Sequence, residues 1–234
     1  DTQGLLIKGD LDRVNYGSLS TFLDSSGLLA EKTSGQAASA IDALDVVVDL
    51  NIGEFEYEAF SLTGIHARLE QSPGWQLRLS NVDSDVLIKF PDTPQAPYRV
   101  ELSDLNLDRI MASKTEAESA ADRSDIKTPE PGSLSDFDIS IANLILKDKR
   151  WGSWSFKIRN SDQHTVIRDI QGQMDQLKAK GQLDWQPGLP AQSKLVLRID
   201  AKNFGRSLQS AGFDKVLETD AFNADLKLSW PGAP

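Results

Sequence analysis

The stretch from Leu195 to Pro234, LVLRIDAKNFGRSLQSAGFDKVLETDAFNADLKLSWPGAP, changes its period twice, and those changes decide the fold. Leu195, Leu197 and Ile199 alternate with Val196, Arg198 and Asp200. Successive strand side chains point to opposite faces, so this alternation predicts a strand with one apolar face. Asn203 to Gly212 then offers a capping Asn, about two helical turns and a Gly suited to the left-handed position that ends a helix. Phe222, Ala224, Leu226, Leu228 and Trp230 return to period two, with Asn223, Asp225, Lys227 and Ser229 between them. Pro231-Gly232 ends that strand, because Pro cannot donate to a sheet ladder.

Similar wording opens the chain. Leu11-Asp12-Arg13-Val14-Asn15-Tyr16-Gly17 lies over Ile199-Asp200-Ala201-Lys202-Asn203-Phe204-Gly205, with Asn203 standing 188 residues after Asn15. Leu44-Asp45-Val46-Val47-Val48 lies over Phe137-Asp138-Ile139-Ser140-Ile141, with Asp138 standing 93 residues after Asp45. Together the two offsets predict one period of a longer array. The chain also begins in mid-pattern at Asp1, so it reads as a piece excised from a larger protein.

Between these ends the strands are legible as alternations. Leu5 to Leu11 reads as a strand, followed by a helix near Tyr16 to Ser26 that Gly27 ends, and by a polar connection from Leu28 to Ala40. Leu44, Val46, Val48, Leu50 and Ile52 form the cleanest alternation; Phe55, Tyr57 and Ala59 continue it, with Glu54, Glu56 and Glu58 opposite. Leu62 to Leu69, Trp75 to Leu79, Val86 to Phe90 and the run at Tyr98, Val100 and Leu102 follow. Ser72-Pro73-Gly74, Asp83-Ser84-Asp85 and the Pro-rich segment 91–97 supply turn chemistry between them. Between Ala112 and Ser135 the alternation vanishes into Ser, Glu, Ala, Asp and Pro, the composition of a solvated insertion. It resumes at Phe137, Ile139 and Ile141, then at Trp154 to Ile158, Val166 to Ile170 and Leu177 to Trp185. About a dozen strands, two or three short helices and no βαβ rhythm predict a mainly β fold with an antiparallel sheet. The expected division is 1–111, the insertion 112–135, and 136–234.

Composition narrows the function classes. The net charge of −10 argues against nucleic acid and against an anionic membrane surface, since both would repel the chain. With no Cys, disulfides say nothing of the compartment. No apolar run approaches the roughly 18 residues of a membrane-spanning helix, and no signal peptide opens the chain.

Enzyme motifs are weak. His66 and His164 are the two histidines, and neither has a carboxylate or Ser at a recognisable spacing, which predicts surface or half-buried structural residues. Asp83-Ser84-Asp85 and the segment Asp122 to Asp125 lack the Gly and terminal Glu of an EF-hand and read as solvated turns. Gly4 and Gly9 have the spacing of a phosphate loop, but Asp10-Leu11 stands where Lys and then Ser or Thr belong. Trp75, Trp151, Trp154, Trp185 and Trp230 lie near strand ends, where such residues plug the rim of a β-core more often than they stack on sugars.

Each strand therefore has an oily side that something must cover. In a sandwich it meets a second sheet; in a sheet curved along its length it lines a trough. Periodicity does not separate the two. The closing segment 222–234, preceded by Asn203-Phe204-Gly205-Arg206-Ser207-Leu208 and Ala211-Gly212-Phe213, resembles the periplasmic repeats of the YhdP family of AsmA-like bacterial envelope proteins. Gly64 to Trp75, Arg150-Trp151-Gly152-Ser153-Trp154-Ser155-Phe156 and Gly181-Gln182-Leu183-Asp184-Trp185 add to the likeness.

That resemblance implies a long, strongly curved antiparallel sheet forming an open, taco-like β-groove in the periplasm of a Gram-negative bacterium. The protein would be anchored to the inner membrane by a part outside this chain. It would move phospholipids between inner and outer membranes, supporting the outer-membrane permeability barrier, with acyl chains as partners and no enzyme activity, cofactor or metal. The expected lining residues are Val46, Val48, Leu50, Phe55, Tyr57, Leu77, Ile139, Ile141, Phe156, Leu183, Leu197, Leu226 and Leu228; the bland alternative for each is ordinary core. An all-β envelope module that binds a protein or polysaccharide is the second reading, and a hydrolase the third.

Overall fold

The alternations seen in the sequence do become strands. The computed structural model describes residues 4–15, 45–57, 60–71, 74–82, 84–93, 95–108, 131–132, 135–161, 163–210 and 219–234. Among them are thirteen strands and one helix, so the fold is mainly β. The chain divides into two compact units, residues 1–96 with 110–126, and residues 97–109 with 127–234.

In the first unit β1 (Gly4–Asn15), β2 (Asp45–Tyr57), β3 (Phe60–Gln71), β4 (Trp75–Ser80) and β5 (Asp85–Lys89) lie side by side in chain order. In the second, β6 (Tyr98–Asn106), β7 (Phe137–Leu146), β9 (Ser153–Ser161), β10 (His164–Met174), β11 (Leu177–Gln186), β12 (Gln192–Lys202) and β13 (Ala221–Pro231) do the same, while the two-residue β8 (Lys149–Arg150) pairs with β7 alone. Neither series closes into a barrel among the described residues.

The sheet is mixed, which corrects the all-antiparallel expectation. β1 pairs with β2 in parallel, from Gly4 opposite Asp45 to Asn15 opposite Glu56. β6 pairs with β7 in parallel, from Tyr98 opposite Phe137 to Asn106 opposite Ile145. The remaining pairings given for β2 to β5 and β7 to β13 are antiparallel. A parallel partner must return to the end where its neighbour began, which takes a connection of about a dozen residues or more. Segments 16–44 and 107–136 have that length. Segment 107–136 contains what the composition marks as an insertion, and 16–44 contains the expected Tyr16 to Ser26 helix; apart from a few residues, both lie outside the described residues. β1, β6 and β12 begin at residues 4, 98 and 192, equal steps along the chain.

Across β1, β2 and β3 the apolar side is kept through a break in alternation. Ile52 and Phe55 lie three apart, so strict alternation would send them to opposite faces. Instead Phe55 and Val14 both pack against the buried cluster of Ile52, Ile65 and Ala67, together with Leu50 and Leu79. Gly53 sits at the break because a Cβ there would lie 2.6 Å from the Asp12 carbonyl oxygen. On β3 the break falls at Gly64, whose φ of +63° is open to glycine at little cost. β10 carries its own bulge between Arg168 and Gln171, with Asp169 at a φ of +54°.

One short helix follows β12. α1 (Phe204–Ser210) starts where the Asn203 side-chain oxygen accepts the Arg206 backbone N–H at 3.3 Å, the capping role read from the sequence. It is anchored at the end of the sheet by Phe204, which stacks on Phe222 of β13 with ring centres 3.9 Å apart. Of the two or three helices expected, this is the one within the described residues.

Candidate functional site

Directly opposed residues on neighbouring strands share a face, so the registers define what each side of the sheet offers. In the first unit Ile7, Val48, Leu69, Leu77 and Ile88 form a row across five strands. Gly9, Leu50, Ala67, Leu79 and Val86 form the next, and Leu11, Ile52 and Ile65 a third. Leu5 opposite Val46 starts the series, and Val14, Phe55 and Leu62 extend it beyond the break.

The second unit repeats the arrangement on its own strands. Ile158, Ile167, Leu183, Leu195 and Leu228 make one row. Trp154, Gly172, Ala179, Ile199 and Ala224 make another. Ile170, Gly181, Leu197 and Leu226 lie between them, and Val100, Ile139 and Phe156 continue the face toward β6.

Burial along these rows is uneven. Val46, Ile141 and Leu183 are buried, and Val48, Leu50, Phe55, Leu77, Ile139, Phe156 and Leu197 are half-buried. Leu226 and Leu228 are exposed, Leu228 by 52%. On β1 and β3, Leu5, Ile7, Leu11 and Leu62 are exposed by 41–49%. A packed core leaves few such residues on its inner face, so within each unit the oily side is open at a terminal strand, β1 in the first and β13 in the second. The thirteen residues expected to line a groove fall into two sets, Val46 to Leu77 in the first unit and Ile139 to Leu228 in the second. The side chain of Tyr57 lies outside the described residues. The sequence reading passed over Leu5, Ile7 and Leu11, although their alternation on β1 is visible, and over Leu62 and Leu195.

The opposite side is mostly polar and carries ion pairs in both units, although Leu6, 58% exposed, stands opposite Val47 there. Arg13 reaches Glu54 at 3.2 Å and Glu56 at 2.8 Å. His66 meets Asp49 at 2.7 Å, and that hydrogen bond holds the Asp49 carboxyl below its ordinary range. Hydrogen bonding to Glu70 pushes the Arg68 guanidinium up, with Arg68 Nε 2.8 Å from Glu70. Lys157 lies 2.8 Å from Asp169 and lowers its carboxyl pKa. Arg159 joins Asp138 and Asp136 and donates to the Phe137 and Ile158 carbonyls. His164 stands 3.5 Å from Asp184. Both histidines thus have a carboxylate on a neighbouring strand, a non-local pairing that linear spacing does not reveal.

At one end of the second unit's oily face is a polar rung. Thr165 lies opposite Trp185, Trp185 opposite Ser193, and Ser193 opposite Trp230. The Thr165 hydroxyl donates to Asn160 and accepts the Gly132 N–H, and Ser193 donates to the Gly232 carbonyl. Trp185 is buried, as a rim-plugging role predicts, and its indole N–H has no partner among the described residues. No group of His, Cys, Asp and Glu suited to a metal ion occurs among the described residues.

These features define a class: a β protein of amphipathic strands whose oily side remains partly uncovered and whose other side is laced with ion pairs. A family model described as YhdP protein matches residues 1–234. The chain belongs to the YhdP family, a family of bacterial envelope proteins. No curated protein and no solved structure matches the chain. Among the described residues no helix is long and apolar enough to cross a membrane.

Proposed function

We propose that the uncovered oily side is a path for lipid acyl chains, and that this chain is a periplasmic stretch of a protein that carries phospholipids between the inner and outer membranes. The observation that supports this most is the row ending in Leu228. Its members run from buried Leu183 to half-exposed Leu228 without a charged side chain between them. Each methylene laid on such a surface and removed from water gains about 0.8 kcal/mol. A fatty chain therefore gains from contact, while its head group stays in water at the open edge. Because the rungs are Leu, Ile, Val and Ala, a chain sliding from one to the next meets little change in energy. The groove that holds the chain, and an inner-membrane anchor outside these residues, belong to the same proposal.

Extraction and mass spectrometry of lipid from the purified chain test it. Co-purified phospholipid is the expected result. A well-folded preparation free of lipid, which also fails to take up phospholipid from vesicles, would overturn it and favour an envelope module that binds a protein or a polysaccharide.

A further inference from the structure

Where the oily rows of the second unit stop, the rung of Thr165, Trp185, Ser193 and Trp230 crosses β10 to β13. Each member stands two residues along its strand from Ile167, Leu183, Leu195 or Leu228, so the rung lies on the oily side, one row past the last leucines. Thr165, Trp185 and Ser193 are exposed by 1%, 4% and 0%. Polar groups buried this deeply need partners inside the protein.

Taken donor by donor, the rung is committed except at one atom. A hydroxyl has one O–H to give. Thr165 gives its own to Asn160 Oδ1 at 2.6 Å and accepts the Gly132 N–H at 2.8 Å. Ser193 gives its own to the Gly232 carbonyl at 2.8 Å, and the Trp230 indole N–H goes to the Ala233 carbonyl at 2.9 Å. The buried Trp185 indole N–H has no partner among the described residues. An indole nitrogen donates and cannot accept. A buried donor left unmade carries a free-energy cost that an arriving acceptor removes.

The surroundings select the acceptor. No Lys, Arg or His stands in the rung or in the row of Ile167, Leu183, Leu195 and Leu228 beside it. An anion brought here would lose water without gaining a countercharge, which is costly, so a neutral oxygen fits better than a phosphate or carboxylate. Leu226 and Leu228, exposed by 38% and 52%, lead along β13 to Trp230, which places that oxygen at the head of an apolar chain. Phe222 to Leu228 covers about 20 Å of strand at about 3.3 Å per residue, more than the roughly 15 Å that one leaflet's chains span.

We propose that an acyl ester docks at this rung. The Trp185 indole N–H donates to the ester carbonyl oxygen, the chain lies along the strands from the row of Leu183, Leu195 and Leu228 toward Leu197 and Leu226, and the phosphate stays in water past the strand ends. This rests on the acyl-chain path and adds to it a fixed stopping point and a preference for ester-linked chains.

Displacement of a fluorescent fatty acid by two phospholipids that share head group and chain length, one ester-linked and one ether-linked, tests it. The ether lipid lacks only the carbonyl oxygens. The unchanged chain should hold the ester lipid about tenfold more tightly, the worth of one good hydrogen bond. Trp185→Phe, which keeps an aromatic ring and removes the N–H, should abolish that preference. With the unchanged chain isotope-labelled at its five Trp indoles, one N–H resonance should move with the ester lipid and hold still with the ether lipid, a readout independent of how the variant folds. Equal affinity for the two lipids, an ester preference that survives in folded Trp185→Phe, or no resonance that separates them overturns the proposal and leaves the acyl-chain path standing. Failure of both lipids to displace the probe overturns the path, and this docking point with it.

Discussion

Replacing Leu228 by Asp separates an oily path from a core more cleanly than any other single change. Leu228 is 52% exposed on the apolar side of the last strand, opposite Leu195. Full burial of a Leu side chain is worth about 1.5–3 kcal/mol, so the half still in water can give a ligand about 1 kcal/mol. Leu228→Asp removes that contact and puts a carboxylate where a methylene chain must lie. Together these should exceed about 1.4 kcal/mol, which is a tenfold loss of affinity. Stability should change little, since the side chain already faces water. Lys227→Gln, one residue away on the other side, is the control. The assay is displacement of a fluorescent fatty acid by phospholipid, with urea unfolding of each variant alongside. An affinity within twofold of the unchanged chain in a folded variant would refute the reasoning. A large loss of stability would refute it differently, by showing that Leu228 is core.

Three further substitutions test the burial, the strand break and an ion pair. Leu183→Ala, at a buried position, should lower unfolding free energy by about 2–5 kcal/mol; a urea midpoint unchanged by this truncation would contradict its burial. Gly53→Ala forces a Cβ to 2.6 Å from the Asp12 carbonyl oxygen, and should destabilise the β1–β2 pair by about 1–3 kcal/mol, read as faster amide exchange on those strands. Lys157 depresses the Asp169 carboxyl, so the pair's contribution to stability is present above the ordinary carboxylate value of about 3.9 and is lost as pH falls through the depressed folded value. Lys157→Gln should raise the Asp169 titration midpoint toward that ordinary value in carboxyl-detected NMR, and an unmoved midpoint would discard the assigned cause.

Much of the fold is legible in the sequence, and what is not has specific physical reasons. Strand residues declare themselves because one side meets apolar neighbours and the other water; hence the alternations at Leu195, Leu197 and Ile199 and at Leu226 and Leu228 read as the strands β12 and β13. The Asn203 cap was legible because capping is local, within three residues. Strand direction was not, since the parallel pairs β1–β2 and β6–β7 depend on where the ends of 16–44 and 107–136 arrive, and no short window of sequence records that. The break at Gly53 was hidden too: Phe55 and Tyr57 look like a continuation of Val46 to Ile52 until the spacing is counted. His66 with Asp49 and His164 with Asp184 are diagonal neighbours across strands, which only the register brings together. The oily side could be listed residue by residue, but whether water, lipid or protein covers it depends on burial, and Leu5, Ile7 and Leu11 show their exposure only in the folded sheet.

The central claim is that fatty chains lie against one side of these strands and not the other. Photo-crosslinking in cells, with a benzophenone side chain placed in turn at Leu197 and Leu226 on the oily side and at Arg198 and Lys227 on the polar side, tests it directly. The account predicts phospholipid adducts from the first two positions and none from the second two. Equal yields from both sides, or no lipid adduct from Leu197 and Leu226 in a folded protein, would contradict it.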